Sequence, residues 1–207
     1  MGLTQVFYAI WYFLLIITAL PLHSCNGRII FMAAERIVVF IDRSNLYHEL
    51  LKNFGNANVD LSTFVSFLVG KDKLVRAYYY NAPLIQKDNP EGYKNQQKFF
   101  SALGLIPKFE LKLGRLEKRS GVFIEKLVDV KMAVDIVTHA YSNIYDLAII
   151  VSADSDFVPA IEAAQDFGKK VINVCLPKTK AFHLNAVCNK TIFITEADFI
   201  RFLIKKG

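Results

Sequence analysis

Two apolar runs rich in β-branched residues each end in a short acidic and polar segment. The first run is residues 36–41, followed by Asp42, and the second is residues 147–151, followed by residues 152–156. Continuous runs of this kind are typical of strands that are buried on both faces, as in a parallel sheet. Open α/β sheets bind their ligands at the edge where the carboxyl ends of such strands lie. The sequence therefore predicts a site at the carboxyl edge of a parallel sheet.

Helix and strand patterns alternate along the rest of the chain. Helices are predicted over residues 46–51, 60–68, 91–103, 128–141, 155–167 and 197–204, and further strands over residues 73–80, 106–113, 170–174 and 191–194. Asp60 is a typical helix cap, and Gly104 and Gly168 are typical stop signals. Strands that alternate with helices favour a right-handed, mostly parallel, three-layer α/β/α sandwich.

The composition is compatible with one globular domain and a polyanionic partner. The chain has 207 residues, of which 53% are hydrophobic, and its formal net charge is +6. A basic surface attracts nucleic acid, although a solvated basic surface explains the charge equally well. The three cysteines show no CxxC spacing, so neither a zinc site nor a disulfide framework is indicated.

The first residues differ from the rest of the chain. Residues 1–27 contain no Lys, Arg, Asp or Glu, and residues 6–20 are almost continuously apolar. That length is typical of a signal-peptide core or a short anchor. A third interpretation is that translation begins at Met32, and we favour it. The expected division is residues 1–31 as a hydrophobic N-terminal segment and residues 32–207 as the functional domain, in the cytoplasm or anchored to a membrane through residues 6–20.

Acidic residues from three segments are expected to meet at the carboxyl edge. Asp42 follows the first strand, and Asp154 and Asp156 follow the later one. Asp129 opens a helix that precedes the later strand and runs antiparallel to it, so the start of that helix lies at the same edge. Gathered carboxylates repel one another unless a divalent cation offsets their charge, and magnesium prefers oxygen ligands. A metal site is therefore predicted.

Each aspartate also has a simpler explanation. A single Asp after a strand, such as Asp42 or Asp154, commonly serves only as a helix cap. Asp129 could act only as a favourable charge in a first helical turn. Taken together, the four acids favour a metal site over coincidental caps. Asp135 lies six residues beyond Asp129 and therefore on a different face of the same helix, which predicts no direct part in the site.

Four segments carry a more specific resemblance. They are residues 40–47, 128–135, 145–157 and 168–171. Together they resemble the NYN domain family, in particular its LabA-like branch, over roughly Glu35 to Ile194.

The resemblance implies a PIN-like, Rossmann-like nuclease fold and a ribonuclease that depends on Mg²⁺ or Mn²⁺. It implies that the catalytic and metal-binding acids are Asp42, Asp129, Asp154 and Asp156. It also implies that Asn45 orients the first of these acids or a bound water.

Three positions depart from the pattern of that family. Arg43, Leu127 and Ala153 stand where glycine is usual. Ala153 would resist a left-handed backbone, whereas Arg43 could help to hold a phosphate. None of the three removes a carboxylate.

RNA is the expected partner, and it would be held by cations and by stacking on aromatic side chains. The predicted substrate-binding residues are Asn45, Arg43, Ser152 and Tyr80, the last as a stacking platform at a strand end. The segment from Arg115 to Lys126 is expected to form a cationic flap. The sequence leaves a homo-oligomer open, and a membrane is a partner only if residues 1–31 are retained.

Three functions are compatible with these features. The first is a metal-dependent endoribonuclease that uses water as the nucleophile. The second is a non-catalytic RNA-binding or regulatory module with the same fold. The third is a phosphohydrolase with Asp42 as the nucleophile, which ranks last because Ser44 stands where a second acid is normally needed.

Overall fold

The computed structural model describes residues 22–25, 28–31 and 34–204. Its strands are β1 (Leu22–Cys25), β2 (Arg28–Phe31), β3 (Arg36–Asp42), β4 (Lys73–Asn81), β5 (Phe109–Leu113), β6 (Arg115–Arg119), β7 (Val122–Lys126), β8 (Leu147–Val151), β9 (Lys170–Cys175) and β10 (Lys190–Phe193). Its helices are α1 (Arg43–Phe54), α2 (Leu61–Val69), α3 (Pro90–Gly104), α4 (Val128–Tyr141), α5 (Val158–Asp166), α6 (Phe182–Val187) and α7 (Glu196–Phe202), with a 3₁₀ turn at Ser155–Phe157.

The chain divides into two compact units, residues 1–34 and residues 35–207. In the first unit, β1 and β2 pair antiparallel, with Leu22 opposite Phe31. These two strands were not predicted. The apolar run over residues 6–20 lies outside the described residues.

The second unit is built on one sheet of six strands in the order β10-β9-β8-β3-β4-β5. Each neighbouring pair is parallel. Strand β3 is central, and β4 and β5 follow it in chain order toward one edge of the sheet. The chain then returns to the centre with β8, and β9 and β10 continue toward the other edge. The strand order thus reverses between β3 and β8, and at such a point a crevice opens at the carboxyl edge. The predicted α/β fold with a mostly parallel sheet is confirmed.

Helices cover both faces of the sheet. Val38 and Phe40 of β3 belong to one apolar cluster, which includes buried residues of α4, α5 and α6. Ile37, Val39 and Ile41 belong to the other, which includes buried residues of α1, α2, α3 and α7. Because successive strand side chains point to opposite faces, a strand covered on both sides must be apolar throughout. This requirement explains the continuous β-branched run.

Helix α1 begins earlier than predicted. Asp42 accepts a hydrogen bond from the backbone N–H of Asn45 (3.1 Å) and so caps a helix that starts at Arg43. The predicted helix began at residue 46. Asp60 does cap α2 as predicted, since its carboxylate accepts the N–H of Thr63 (2.6 Å).

The largest difference from the prediction lies between β5 and α4. Strands β6 and β7 form an antiparallel hairpin, with Arg115 opposite Lys126. The turn residues Ser120 and Gly121 both have positive φ (49° and 83°), as a tight two-residue turn requires. Strand β5 begins at Phe109 and not at residue 106.

Among the described residues, no helix combines the length and the apolar character needed to cross a membrane.

Candidate active site

Asp42 lies at the end of β3, beside the point where the strand order reverses. Its side chain is 4% exposed, and both carboxylate oxygens are engaged. Oδ1 accepts the N–H of Asn45, and Oδ2 accepts the hydroxyl of Ser152 (3.2 Å), which follows β8. The carboxylate is therefore both a helix cap and a link between the two central strands.

Asn45 and Ser152 hold the loop after β8 against the start of α1. The side-chain oxygen of Asn45 accepts the N–H of Ala153 (3.1 Å). The hydroxyl oxygen of Ser152, which is 5% exposed, accepts the N–H of Asp154 (3.2 Å). These contacts fix where the acids after β8 stand relative to Asp42.

The acids after β8 and in α4 are more accessible. Asp154 is half-buried and its Oδ1 caps the 3₁₀ turn by accepting the N–H of Asp156 (3.0 Å), while Asp156 is exposed. Asp129 is the second residue of α4 and is also exposed. Capping thus explains part of the geometry of Asp42 and Asp154.

The four aspartates share one electrostatic environment. Burial raises the pKa of the Asp42 carboxyl to about 6, and the charge of Asp129 adds to this rise. Although Asp129 is exposed, nearby protein atoms partly desolvate its carboxyl and raise its pKa, and the charges of Asp154 and Asp156 raise that pKa further. Acids from three separate segments are therefore close enough at the carboxyl edge for their charges to act on one another.

Glu125 is a fifth acid that sequence reasoning missed. It lies near the end of β7, where burial raises the pKa of its carboxyl; the charge of Asp129 adds to the rise, and that of Arg43 opposes it. Its own charge also raises the pKa of Asp42. Glu125 precedes Asp129 by only four residues, and this closeness in sequence could have identified it as a further member of the acidic group. It was missed because the hairpin that positions Glu125 was not predicted.

The donor chemistry of this group fits a divalent cation. Carboxylate oxygens are the ligands that Mg²⁺ and Mn²⁺ prefer. Burial is the main cause of the raised pKa values of Asp42 and Asp129, and the neighbouring negative charges that add to the rise are charges that a cation would offset. Over residues 34–204, however, no three His, Cys, Asp or Glu side chains are already arranged to hold a metal ion. The acids therefore suit a divalent cation by their charge and donor type, but their side chains do not converge on a single coordination site.

Arg43 lies beside the acids, at the first position of α1. Its guanidinium carbon is 4.5 Å from the ring centroid of Tyr47. Its charge opposes the rise that burial causes in the pKa of Tyr79, as it does for Glu125. The guanidinium thus lies between the acids and two tyrosines.

The prediction for Tyr80 is wrong. Its ring is fully buried, and its hydroxyl donates to Asp135 (2.8 Å) from beneath helix α4. No face of the ring is available for stacking on a base. The pair accounts for Asp135 as well, which lies away from the acids as expected.

The cationic flap is also less cationic than predicted. Glu117 forms ion pairs with Arg115 and Arg119 (both 2.8 Å), and Lys118 pairs with Asp88. These pairs reduce the positive charge of the hairpin, although the single carboxylate of Glu117 offsets only one of its two guanidinium partners.

The three departures from glycine have different consequences. Arg43 is an ordinary helical residue, and Ala153 does not have positive φ, so neither is strained. Leu127 has φ 70° and ψ −4°, a left-handed conformation that suits glycine. The backbone is therefore strained at Leu127, two residues before Asp129.

A cleft of about 950 Å³ lies next to the acids. Its walls come from α1, from the segment between β4 and α3, from α3 itself and from the β6–β7 hairpin. Arg43 and Glu125 border both the cleft and the acidic group. The structure thus places a large recess directly beside the candidate metal site.

Comparison with known proteins agrees with this architecture. The chain is similar to a protein of unknown function from Vibrio parahaemolyticus RIMD 2210633, whose crystal structure superimposes with a TM-score of 0.64 at 21% identity, covering 88% of this chain and 100% of that one. This likeness shows the fold alone. No curated protein is similar enough to serve as a comparison. The sequence profile of the NYN domain, a PIN-like nuclease family, matches residues 36–195. Because that match spans most of the sequence, the chain belongs to the NYN domain family.

Proposed function

We propose that this chain is a metal-dependent endoribonuclease that hydrolyses phosphodiester bonds in RNA. The observation that carries the proposal is the gathering of acids from β7, α4 and the ends of β3 and β8 where the strand order reverses. Membership of a nuclease family supports the same reaction class. Acids with raised pKa values beside a cleft are a common feature of catalytic and metal-binding sites, which supports the proposal.

The residues have separate roles in the proposal. Asp42, Asp129, Asp154 and Asp156 would hold Mg²⁺ or Mn²⁺. When bound, the cation would offset their charge and stabilise the negative charge that develops on the phosphate during in-line attack by water.

Asn45 and Ser152 are positioning residues in this scheme. Both are tied to the acids through hydrogen bonds, and Ser152 is too buried to reach a substrate. Arg43 is the candidate phosphate ligand, because its guanidinium is half-buried beside the acids and can bind phosphate oxygens in a bidentate manner.

The test is an RNA cleavage assay with Mg²⁺ and Mn²⁺ titrations. We expect Asp154→Asn to abolish cleavage while the thermal unfolding temperature stays close to that of the wild type. Asp166→Asn is the matched control, because Asp166 is an exposed acid at the end of α5 and outside the site. If the wild type cuts no RNA with either metal, the proposal fails.

The alternative is a non-catalytic RNA-binding or regulatory module. It is favoured by the absence, within residues 34–204, of three acids already arranged around a metal ion. RNA binding without metal-stimulated turnover would support this alternative over the nuclease.

The finer assignments are part of the proposal. They are membership of the LabA-like branch, residues 32–207 as the nuclease domain, and a cytoplasmic location. Mass spectrometry of the native N-terminus would separate a start at Met32 from a longer chain that retains residues 1–31.

A further inference from the structure

One face of helix α4 carries apolar side chains that nothing covers in the described part of the second unit. Three of them are largely exposed, Val130 (61%), Val134 (52%) and Tyr141 (76%), and a fourth, Val137, is half-buried between them. We call these four residues the α4 stripe. Single exposed apolar residues are common on protein surfaces, whereas a contiguous apolar patch is typical of an interaction site. Phe167, just after α5, extends the stripe, because its exposed ring packs edge-on against that of Tyr141, with the ring centroids 5.6 Å apart.

The spacing of the α4 stripe is that of a helix-pairing seam. Its four members follow one another at intervals of four, three and four residues. This is the spacing of the a and d positions in a coiled coil, where apolar side chains of one helix pack between those of another. The opposite face of α4 is already buried against the sheet. The helix therefore has a second apolar face that suits another helix.

We propose that the α4 stripe joins two copies of this chain as an antiparallel helix pair about a two-fold axis. In that pair, Val130 meets the partner's Tyr141, and Val134 meets the partner's Val137. Every member of the stripe then faces another apolar member, because the four positions are symmetric about the middle of the stripe. A two-fold interface requires such a self-complementary surface. The sequence of the stripe is therefore matched to a second copy of itself.

The polar residues of α4 beside the stripe are compatible with this pairing. Lys131 and Thr138 lie on one flank, and Lys131 would stand opposite the partner's Thr138. The two lysines would be about 13 Å apart along the helix axis at 1.5 Å per residue, so they would not repel one another closely. The ammonium of Lys131 is also held away, since it donates to the carbonyl of Leu113 (2.6 Å). Ala133 lies on the other flank, where its small side chain allows the helices to approach.

The pairing would leave the acids accessible. Asp129 immediately precedes Val130 and is therefore turned about 100° around α4 from it. In the antiparallel pair, the two copies of Asp129 would lie at opposite ends of the seam, about 20 Å apart along the axis. The dimer would carry two separate acidic groups, and its formation does not depend on what those groups do.

The seam is short, so the dimer should be weak. Helix α4 has 14 residues, which form two heptads over about 21 Å. Phe167 of each copy adds one aromatic ring at each end of the seam. Interfaces at the small end of the range are typical of reversible complexes. We therefore expect a dissociation constant in the micromolar range.

Sedimentation velocity of the full chain across the micromolar range is the first measurement. We expect the wild type to change from monomer to dimer as its concentration rises. Val134→Glu should weaken association at least tenfold, because it places two unpaired carboxylates at the centre of an apolar seam. Its thermal unfolding temperature should stay close to that of the wild type, since Val134 is exposed in the monomer.

Ile200→Glu is the matched control. Ile200 is exposed to a similar extent (62%) on α7, which packs on the other face of the sheet. This variant should associate as the wild type does. A wild type that remains monomeric, or a Val134→Glu protein that associates as strongly as Ile200→Glu, would overturn the proposal.

Disulfide formation tests the antiparallel register. A mixture of the Val130→Cys and Tyr141→Cys proteins should form a covalent heterodimer under mild oxidation, because the two positions oppose one another in the proposed pair. Either variant alone should form none, since two copies of the same position would be about 16 Å apart along the axis, beyond the reach of a disulfide. The wild type, treated in the same way, controls for the native cysteines. A heterodimer yield no higher than that of the single variants would rule out this register.

Discussion

Ser152 donates its hydroxyl hydrogen to the buried carboxylate of Asp42 across the junction of the two central strands. The same hydroxyl oxygen accepts the N–H of Asp154. One small side chain therefore fixes the distance between the acid after β3 and the acid after β8. The arrangement of the proposed metal ligands depends on it.

Replacing Ser152 with alanine should weaken both the fold and the proposed site. The change leaves a buried oxygen of Asp42 and the N–H of Asp154 without their partner, which costs about 1–3 kcal/mol in the free energy of unfolding. Urea denaturation measures this loss, and cleavage should fall in parallel. Ser155→Ala is the control, because Ser155 is exposed in the adjacent 3₁₀ turn. Equal stability of the two variants would contradict the prediction.

Divalent cations should stabilise the wild type against heat. A ligand that binds only the folded state adds about 2.7 kcal/mol at about 100 times its Kd. We expect Mg²⁺ or Mn²⁺ to raise the Tm of the wild type by several degrees, and to have little effect on Asp129→Asn. Asp166→Asn should respond as the wild type does. A metal-induced shift that persists in Asp129→Asn would place the ion elsewhere.

The Leu127→Gly protein should be more stable than the Leu127→Ala protein. Both substitutions remove the partly exposed leucine side chain, but only glycine adopts φ 70° without steric cost. We expect the free energy of unfolding of Leu127→Gly to be about 0.5–1 kcal/mol higher than that of Leu127→Ala. Denaturant melts of the two proteins give the comparison, and the opposite order would show that the left-handed conformation is absent.

The ion pair between Arg36 and Asp146 lies at the edge of the sheet opposite the acidic group, where β3 and β8 begin. It should make the stability of the protein depend on pH. Arg36 donates to both oxygens of Asp146 (2.7 and 3.0 Å), and this contact lowers the pKa of that carboxyl to about 2. Because the folded pKa lies below the ordinary value of 3.8, the contribution is present above about pH 4 and is lost as the pH falls toward 2. The pair is largely exposed, so solvent screening keeps its contribution at neutral pH small.

Asp146→Asn tests this contact. The variant should be less stable than the wild type at pH 7, and the difference in their free energies of unfolding should become smaller below pH 4. Urea melts at a series of pH values measure it. A constant gap would mean that the carboxyl charge does not contribute.

Much of the fold could be predicted from the sequence because its central strands are covered on both sides. That environment requires uninterrupted apolar runs, and the run ending at Asp42 is one of them. The same reasoning placed the four aspartates at one edge, since the carboxyl ends of parallel strands must meet there. Local spacing was enough to choose among helix, strand and turn in this part of the chain.

Features that depend on packing between distant segments could not be predicted. The β6–β7 hairpin carries charges along strands that lie largely in solvent, so it shows no apolar period, and only the Ser120–Gly121 pair signalled its turn. Glu125 was missed with it. Tyr80 was expected to be accessible at a strand end, but α4 covers that end and supplies Asp135 as its hydrogen-bond partner.

The contact between Asp42 and Ser152 joins residues that are 110 positions apart. A nascent or truncated chain that stops before β8 contains the first acid but lacks the loop that completes the group around it. Under the proposed function, copies that end before β8 are therefore inert toward RNA. The order of synthesis would itself keep hydrolysis off until the segment after β8 has been made.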